Sequence, residues 1–337
     1  MLVGYQARPA TQADLAIIVA LRNASSQDTR GTNVTADHWQ MRHWLESAIN
    51  LATDSLLLLA PDGTAVAYSQ ITTEFPYITY SLIGVVHPDF RGQGIGSFLV
   101  QWAEKRAWQT AEKAPAGSRI VINSSLFDSN HPGITLLQLH GFKKVRHFVH
   151  LRLDMPEPPP PPQWPDGISG RPLQASDWAQ VGPALEEAFQ DHWGIVEYDG
   201  PEEEEEEEET AEGDPAIFNR DYFNSPDLCF VALDGDEVVG SCLCNAKTVE
   251  FPDAGYLGSL SIRRPWRRRG IGLALTYQAL NAFYQQGTRT ILTDTDGDSF
   301  TQAYNLYQKA GMIIYRQENV YEKEIRPGRD LIKRQME

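Results

Sequence analysis

Ala7-Arg8-Pro9-Ala10-Thr11-Gln12-Ala13-Asp14 returns later in the same chain as Gly170-Arg171-Pro172-Leu173-Gln174-Ala175-Ser176-Asp177, each time ahead of a helix-like segment. Self-similarity of this kind means that one supersecondary plan is used twice, so the second copy must fold as the first does. The order of later signals agrees. Leu56 to Ala60, the turn Pro61-Asp62-Gly63 and Ala65 to Thr72 predict a hairpin, and Cys229 to Leu233, Asp234-Gly235-Asp236 and Glu237 to Asn245 predict its counterpart. An apolar strand then runs into a basic, glycine-bearing turn and a helix, from Tyr80 to Ser97 and again from Tyr256 to Leu273. A further strand follows at Ile120 to Ile122 and Thr290 to Leu292, then a helix ending at Gly141-Phe142 or Gly311-Met312, then closing strands.

Two domains are expected, since a chain of 337 residues exceeds the roughly 100 to 200 that one core organises. Between the copies stand Met155-Pro156-Glu157 and the run Pro158 to Pro162, which favour extended polyproline II and read as a stiff spacer. The divisions expected are residues 1 to 154, a proline-rich linker over 155 to 168, a second domain over 169 to 326 and a tail over 327 to 337.

The formal net charge of -16 argues against general affinity for nucleic acid or an anionic membrane, which needs clustered Lys and Arg. Half of that charge is the unbroken run Glu202 to Glu209, which reads as a solvated loop in the largest insertion between the copies. No apolar run approaches a membrane span, and the stretch Leu15 to Leu21 is short and flanked by Asp14 and Arg22. Three cysteines without framework spacing suggest a reducing compartment, and a cytoplasmic location is the expectation.

The chemistry concentrates in the repeated turn, Arg91-Gly92-Gln93-Gly94-Ile95-Gly96 in the first copy and Arg267-Arg268-Arg269-Gly270-Ile271-Gly272 in the second. Glycines let the backbone curl until several N–H groups aim at one point, and a helix start adds favourable potential for an anion. A diphosphate suits such a place, and the arginines of the second copy add charge. A dinucleotide-binding Rossmann unit would place its glycine turn after the first strand, whereas here it follows several.

With Arg91, Gly94 and Gly96 matching the pattern, as do Arg267, Gly270 and Gly272, each half resembles a GNAT-type N-acetyltransferase domain. The tandem arrangement resembles that of two-domain acetyltransferases of the mycothiol synthase kind. The resemblance implies an α/β (α+β) fold of two tandem domains, each a mixed, mostly antiparallel sheet flanked by helices. It implies acetyl-CoA as acyl donor, held without a metal, with its pyrophosphate on the turn. Its pantetheine arm would lie along the preceding strand, at Gly84 and Val86 in the first half and Leu260 and Ile262 in the second.

The resemblance further implies direct attack of an amine on the thioester, with a tyrosine on the last helix protonating the departing thiolate. The family's Leu-Tyr pair falls on Leu306 and Tyr307 in the second half and on Leu136 and Leu137 in the first, so Tyr307 is the expected acid and the second half the expected catalyst. Asn130 matches the asparagine that commonly opens this helix, while the second half has Phe300 there. Asp191-His192-Trp193-Gly194 looks like a motif of the tandem family, which makes His192 and Trp193 candidates for acceptor contact; an aromatic loop anchor is the alternative. Glu250, Asp253 and His192 are candidate bases, and Tyr256 stands where mycothiol synthase-like enzymes carry an acid. The acceptor is expected to be a small-molecule or peptide amine, with a cationic one mildly favoured by the acidic surface. A non-catalytic acyl-CoA-binding protein is the competing reading.

Asp294, Asp296 and Asp298 mimic the opening of a calcium loop, but Ser299 and Asn305 stand where it needs Gly and Glu. Cys242 and Cys244 alternate on a predicted strand and read as small packing groups, Cys229 adds no zinc spacing, and His140, His147 and His150 form no metal pattern.

Overall fold

The computed structural model of the chain describes residues 3–30, 49–190, 192–198, 200, 225–248, 250–299 and 303–334. The glutamate run, Asp191 and Phe300 lie outside them.

The chain divides into two units that are not contiguous halves: Met1–His147, Val196–Glu202 and Glu318–Leu331 form the first, and Phe148–Ile195, Glu203–Gln317 and Ile332–Glu337 the second. In the first unit, β1 (Gln6–Arg8), β2 (Ser55–Leu59), β3 (Ala65–Thr73), β4 (Thr79–Val86) and β5 (Ile120–Phe127) lie side by side in that order. Every neighbouring pair among them is antiparallel except β4 with β5. The second unit repeats the plan with β7 (Ile168–Pro172), β8 (Phe230–Asp234), β9 (Glu237–Asn245), β10 (Ala254–Ile262) and β11 (Thr290–Asp296), where only β10 and β11 are parallel.

The closing strands are exchanged. β5 is completed by Glu318–Arg326 of β12 (Ile313–Arg326), and β11 by Phe148–Asp154 of β6 (Lys143–Asp154), both antiparallel. The last strand of each sequence repeat thus finishes the sheet of the other unit.

Helices cover both faces of each sheet. In the first unit α1 (Leu15–Arg30) buries Ile18, Val19 and Leu21 with Leu57 and Tyr68, while α3 (Ile95–Thr110) buries Ile95 and Leu99 with Leu56, Leu58 and Val66 on the other face. β2 therefore needs apolar side chains on both faces, which is why it reads as an unbroken leucine run rather than an alternation. The short α2 (Leu51–Asp54) leads into it, and α4 (His131–Leu139) follows β5. In the second unit α5 (Trp178–Phe189) packs Val181, Ala184 and Leu185 on Val231 and Leu243, while α6 (Ile271–Gln285) packs Leu275, Leu280 and Phe283 on Cys242, Cys244, Leu257 and Ile291. Each buried Leu or Phe contributes about 1.5–3 kcal/mol. α7 (Ala303–Lys309) follows β11.

The repeated opening octapeptide is a repeated device. Arg8 donates two hydrogen bonds to Asp14, at 2.8 and 2.7 Å, and one to the carbonyl of Pro9. Arg171 does the same to Asp177, at 2.6 and 2.7 Å, and to Pro172. Each aspartate also accepts a backbone N–H at the start of its helix, from Thr11 or Gln174. The stretch 155–167 between β6 and β7 is without regular structure and lies on the second unit: Asn281 of α6 donates to the carbonyl of Pro160, and Met155 and Trp164 pack into the core of that unit.

Candidate active site

Both parallel ladders stop early. β4 and β5 pair only over Thr79–Ser81 with Val121–Asn123, and β10 and β11 only over Ala254–Tyr256 with Thr290–Leu292. Both members of each pair run on beyond that point, so they splay apart and expose main-chain groups to the gap. The outward edge of β10 is held by β9: the N–H of Arg263 donates to Val239 at 3.0 Å. Strand alternation then turns the amides of Leu260 and Ile262 into the gap. In the first unit the N–H of His87 donates to Val66 at 2.8 Å, which turns Gly84 and Val86 inward in the same way. These four positions are those expected along a pantetheine arm.

The two units differ inside this gap. The β3–β4 ladder runs from Thr73 opposite Tyr80 to Ala67 opposite Val86 without a shift. The β9–β10 ladder shifts between Leu257 and Ser259, so that Gly258 is an extra residue and β10 is bulged where the splay begins. A bulge re-aims the backbone around it. In the first unit the gap encloses a cavity of about 80 Å³ lined by Leu82, Gly84 and Val86 of β4, Ser124 and Leu126 of β5, and Gly96 and Leu137 of the covering helices.

Above each gap stands the glycine turn. Gly94 (φ 82°) and Gly270 (φ 90°) are the N-cap residues of α3 and α6, and neither makes a side-chain capping bond. The first N–H groups of these helices lack intrahelical partners and concentrate the positive end of the dipole. Two residues earlier, Gly92 (φ 75°) and Arg268 (φ 63°) are also left-handed. Closely spaced left-handed residues curl amides into an anion-sized nest. This cradle fits a pyrophosphate.

The arginines divide in role. Arg267 donates through Nε to the carbonyl of Ile262 at 3.1 Å and through Nη2 to Ala188 at 2.8 Å, and burial pushes its guanidinium below the usual value. It ties the turn to β10 and α5 through these two carbonyls. Arg91 is paired with Asp28 and reaches Ser25 at 3.3 Å, and the exposed Gln93 accepts from Tyr5 at 3.0 Å. Arg268 and Arg269 are exposed beside Gly270. Ile95 and Ile271 are buried and anchor their helices in the cores.

Tyr307 lies in the core beneath the gap, 5 % exposed, among Cys242, Cys244, Leu257 and Ile291. Burial drives its hydroxyl pKa well up, and the neighbouring Thr293 hydroxyl moderates the shift. Thr293 in turn donates to the carbonyl of Leu257 at 2.8 Å, beside the bulge. At the matching position of the first unit Leu137 is buried without a hydroxyl.

The expected bases are placed differently. Both carboxylate oxygens of Glu250 accept from Arg316, at 2.7 and 2.6 Å, in a bidentate, charge-assisted pair. His192 packs its ring on Phe189 at 4.4 Å between centroids, and its backbone N–H donates to the Phe189 carbonyl, closing the end of α5. Trp193 is half-buried next to Gly194, whose N–H donates to Lys333 at 3.0 Å. Asp253 is exposed. In contrast Tyr256 donates a hydrogen bond from its hydroxyl to Asp294, two residues past the end of the parallel ladder. Asp294, which by sequence belongs to the calcium-loop mimic Asp294-Asp296-Asp298, lies within β11, which continues past Leu292 to Asp296, and period-two alternation places it on the face of Leu292.

The sequence model of the acetyltransferase (GNAT) family matches twice, over residues 18–142 and 184–312. The chain is 26% identical to the mycothiol acetyltransferase of Streptomyces scabiei over 273 residues, 80% of this chain and 79% of that one. A GCN5-related N-acetyltransferase from Sphaerobacter thermophilus superposes with a TM-score of 0.77 at 30% identity, covering 99% of both chains. A tandem GNAT protein from the clavulanic acid biosynthesis pathway shares the fold, with a TM-score of 0.68 at 14% identity over 96% of this chain and 99% of that one. With two matched copies, two splayed strand pairs and two glycine turns, the chain belongs to the acetyltransferase (GNAT) family and is a tandem N-acetyltransferase enzyme.

Proposed function

We infer that the second unit transfers the acetyl group of acetyl-CoA directly to an amine, and that the first unit holds coenzyme A without turning it over. The observation that carries this reading is the bulge at Gly258. It breaks the alternation of β10 at the mouth of the gap, where a backbone N–H is wanted by the negative charge that develops on a thioester oxygen during attack. The unshifted ladder beside β4 lacks this device, and Leu137 lacks the proton that Tyr307 can give.

The residues divide the work. The nest at Arg268 to Gly272 and the start of α6 hold the pyrophosphate, and Leu260 and Ile262 offer main-chain groups to the pantetheine arm. Tyr307 keeps its proton at working pH because its pKa is raised, and it gives that proton to the thiolate as the carbon–sulfur bond breaks. The likeness to mycothiol acetyltransferases favours a small-molecule amine as acceptor.

Tyr307→Phe tests the assignment, because it removes the donor and keeps the ring. Turnover is expected to fall about 100 to 10,000-fold while the affinity for acetyl-CoA stays within about twofold. Leu137→Ala is the control, costing about 2–5 kcal/mol of stability through a cavity and sparing turnover. Unchanged turnover in Tyr307→Phe, with acetyl transfer rate-limiting, would move the chemistry away from this residue.

A further inference from the structure

We propose that Asp294, positioned by Tyr256, is the base that takes the proton of the acceptor ammonium. The proposal rests on the acetyl-transfer reading above and deepens it, whereas both carboxylate oxygens of Glu250 are engaged by Arg316.

Register partners in a sheet share a face, and successive residues alternate. Leu243 packs against α5, and it is the partner of Ser259, which puts Ser259 on the α5 face of β10. Asn245, two residues on from Leu243, is the partner of Tyr256, which is in turn the partner of Leu292. Tyr256, Leu292 and hence Asp294 therefore lie on the α5 face as well. Leu257 and Tyr307 belong to the core on the α6 face. The gap between β10 and β11 thus has a proton donor on one side and a carboxylate on the other, with the bulge between them.

A second observation marks the same spot. The hydroxyl oxygen of Ser259 is buried and has no hydrogen-bond partner among the described residues, and it follows the bulge directly. A buried hydroxyl left without a partner is costly unless something else meets it. An ammonium group placed between Ser259 and Asp294 would supply donors to both, so the site selects a cationic primary amine.

The protons balance. The ammonium gives one proton to Asp294, and the freed lone pair forms the nitrogen–carbon bond. The carbon–sulfur bond breaks, Tyr307 protonates the sulfur, and the nitrogen's second proton replaces the one Tyr307 gave. Asp294 releases its proton to solvent.

Asp294→Asn, nearly isosteric, is the test, with free-thiol release from acetyl-CoA followed in the presence of simple alkylamines. At about pH 7 the variant should lose 100-fold or more in turnover with acetyl-CoA affinity within twofold. At about pH 9, where more alkylamine is already neutral, the deficit should shrink at least tenfold. Among the described residues, the ionisable groups around Asp294 include Asp296 on its own face of β11, Tyr256 on β10, Tyr307 on α7, Tyr315 on β12 and His150, its ladder partner on β6. They are common to both proteins, so the ratio isolates Asp294. Tyr256→Phe should cost about tenfold. Turnover of Asp294→Asn within threefold of wild type, or a deficit equal at both pH values, would overturn the proposal. Wild type releasing no thiol with any amine would instead defeat the acetyl-transfer reading itself.

Discussion

Replacing Gly270 by valine asks which unit binds coenzyme A productively. Gly270 sits at φ 90° and ψ -5°, and an L-residue held left-handed costs about 1–2 kcal/mol, more when β-branched. A Cβ there meets nothing within 4 Å, so the penalty is one of backbone conformation and the turn is free to relax by rotating out of it. That rotation carries away the N–H groups of the nest. Loss of one charge-assisted bond is worth about 1.5–3 kcal/mol, or roughly a 10 to 150-fold weaker Kd. The fold should persist, because α6 is anchored by Leu275, Leu280 and Phe283. Calorimetry with coenzyme A and steady-state turnover, run on Gly270→Val and on the matched Gly94→Val, give the answer. Gly270→Val should lose turnover at low acetyl-CoA in proportion to its affinity, and Gly94→Val should leave turnover nearly intact. If Gly94→Val removed turnover and Gly270→Val spared it, the roles assigned to the units would be reversed.

Two further substitutions test stability. The Arg171 pair holds the Asp177 carboxyl below its ordinary range, so its contribution is present above that range and is lost as pH falls through the folded value. Asp177→Asn should cost about 2 kcal/mol near neutrality, a Tm drop of about 4–8 °C, and this difference should close as pH is lowered through the carboxylate range. A Tm difference that persists undiminished in acid would refute the linkage. Arg268 is left-handed where the first unit has Gly92; Arg268→Gly should relieve about 1–2 kcal/mol of strain against about 0.5–1 kcal/mol of added chain entropy, for a net gain of up to about 1.5 kcal/mol in urea unfolding. A clear loss of stability would show that Arg268 is not strained.

The repeat made most of the architecture legible, since each hairpin, turn and helix was placed twice and the two placements checked one another. Glu237 to Asn245 was bounded as the structure has it, and the N-cap glycines fell at the helix starts. The bulge at Gly258 was not legible, because a one-residue slip leaves an alternating sequence looking the same until the partner strand is known. Asp294 was hidden by its setting among Asp296 and Asp298, where a row of acids resembles a loop. Nor could residue type tell that Glu250 would meet Arg316, 66 residues away in sequence, or that Arg267 would face inward.

The exchanged closing strands govern how the chain can assemble. On the ribosome, everything up to His147 emerges while the residues that must lie against β5, Glu318–Arg326, have yet to be made. Until then β5 offers a bare row of amides and carbonyls, the kind of edge to which stray chains add. A proteolytic cut in the proline stretch would leave fragments each carrying the other's last strand, so they would stay knitted together rather than part as two domains. The duplication is therefore not a pair of interchangeable parts: once the strands crossed over, neither copy could be lost without unravelling the one that remained.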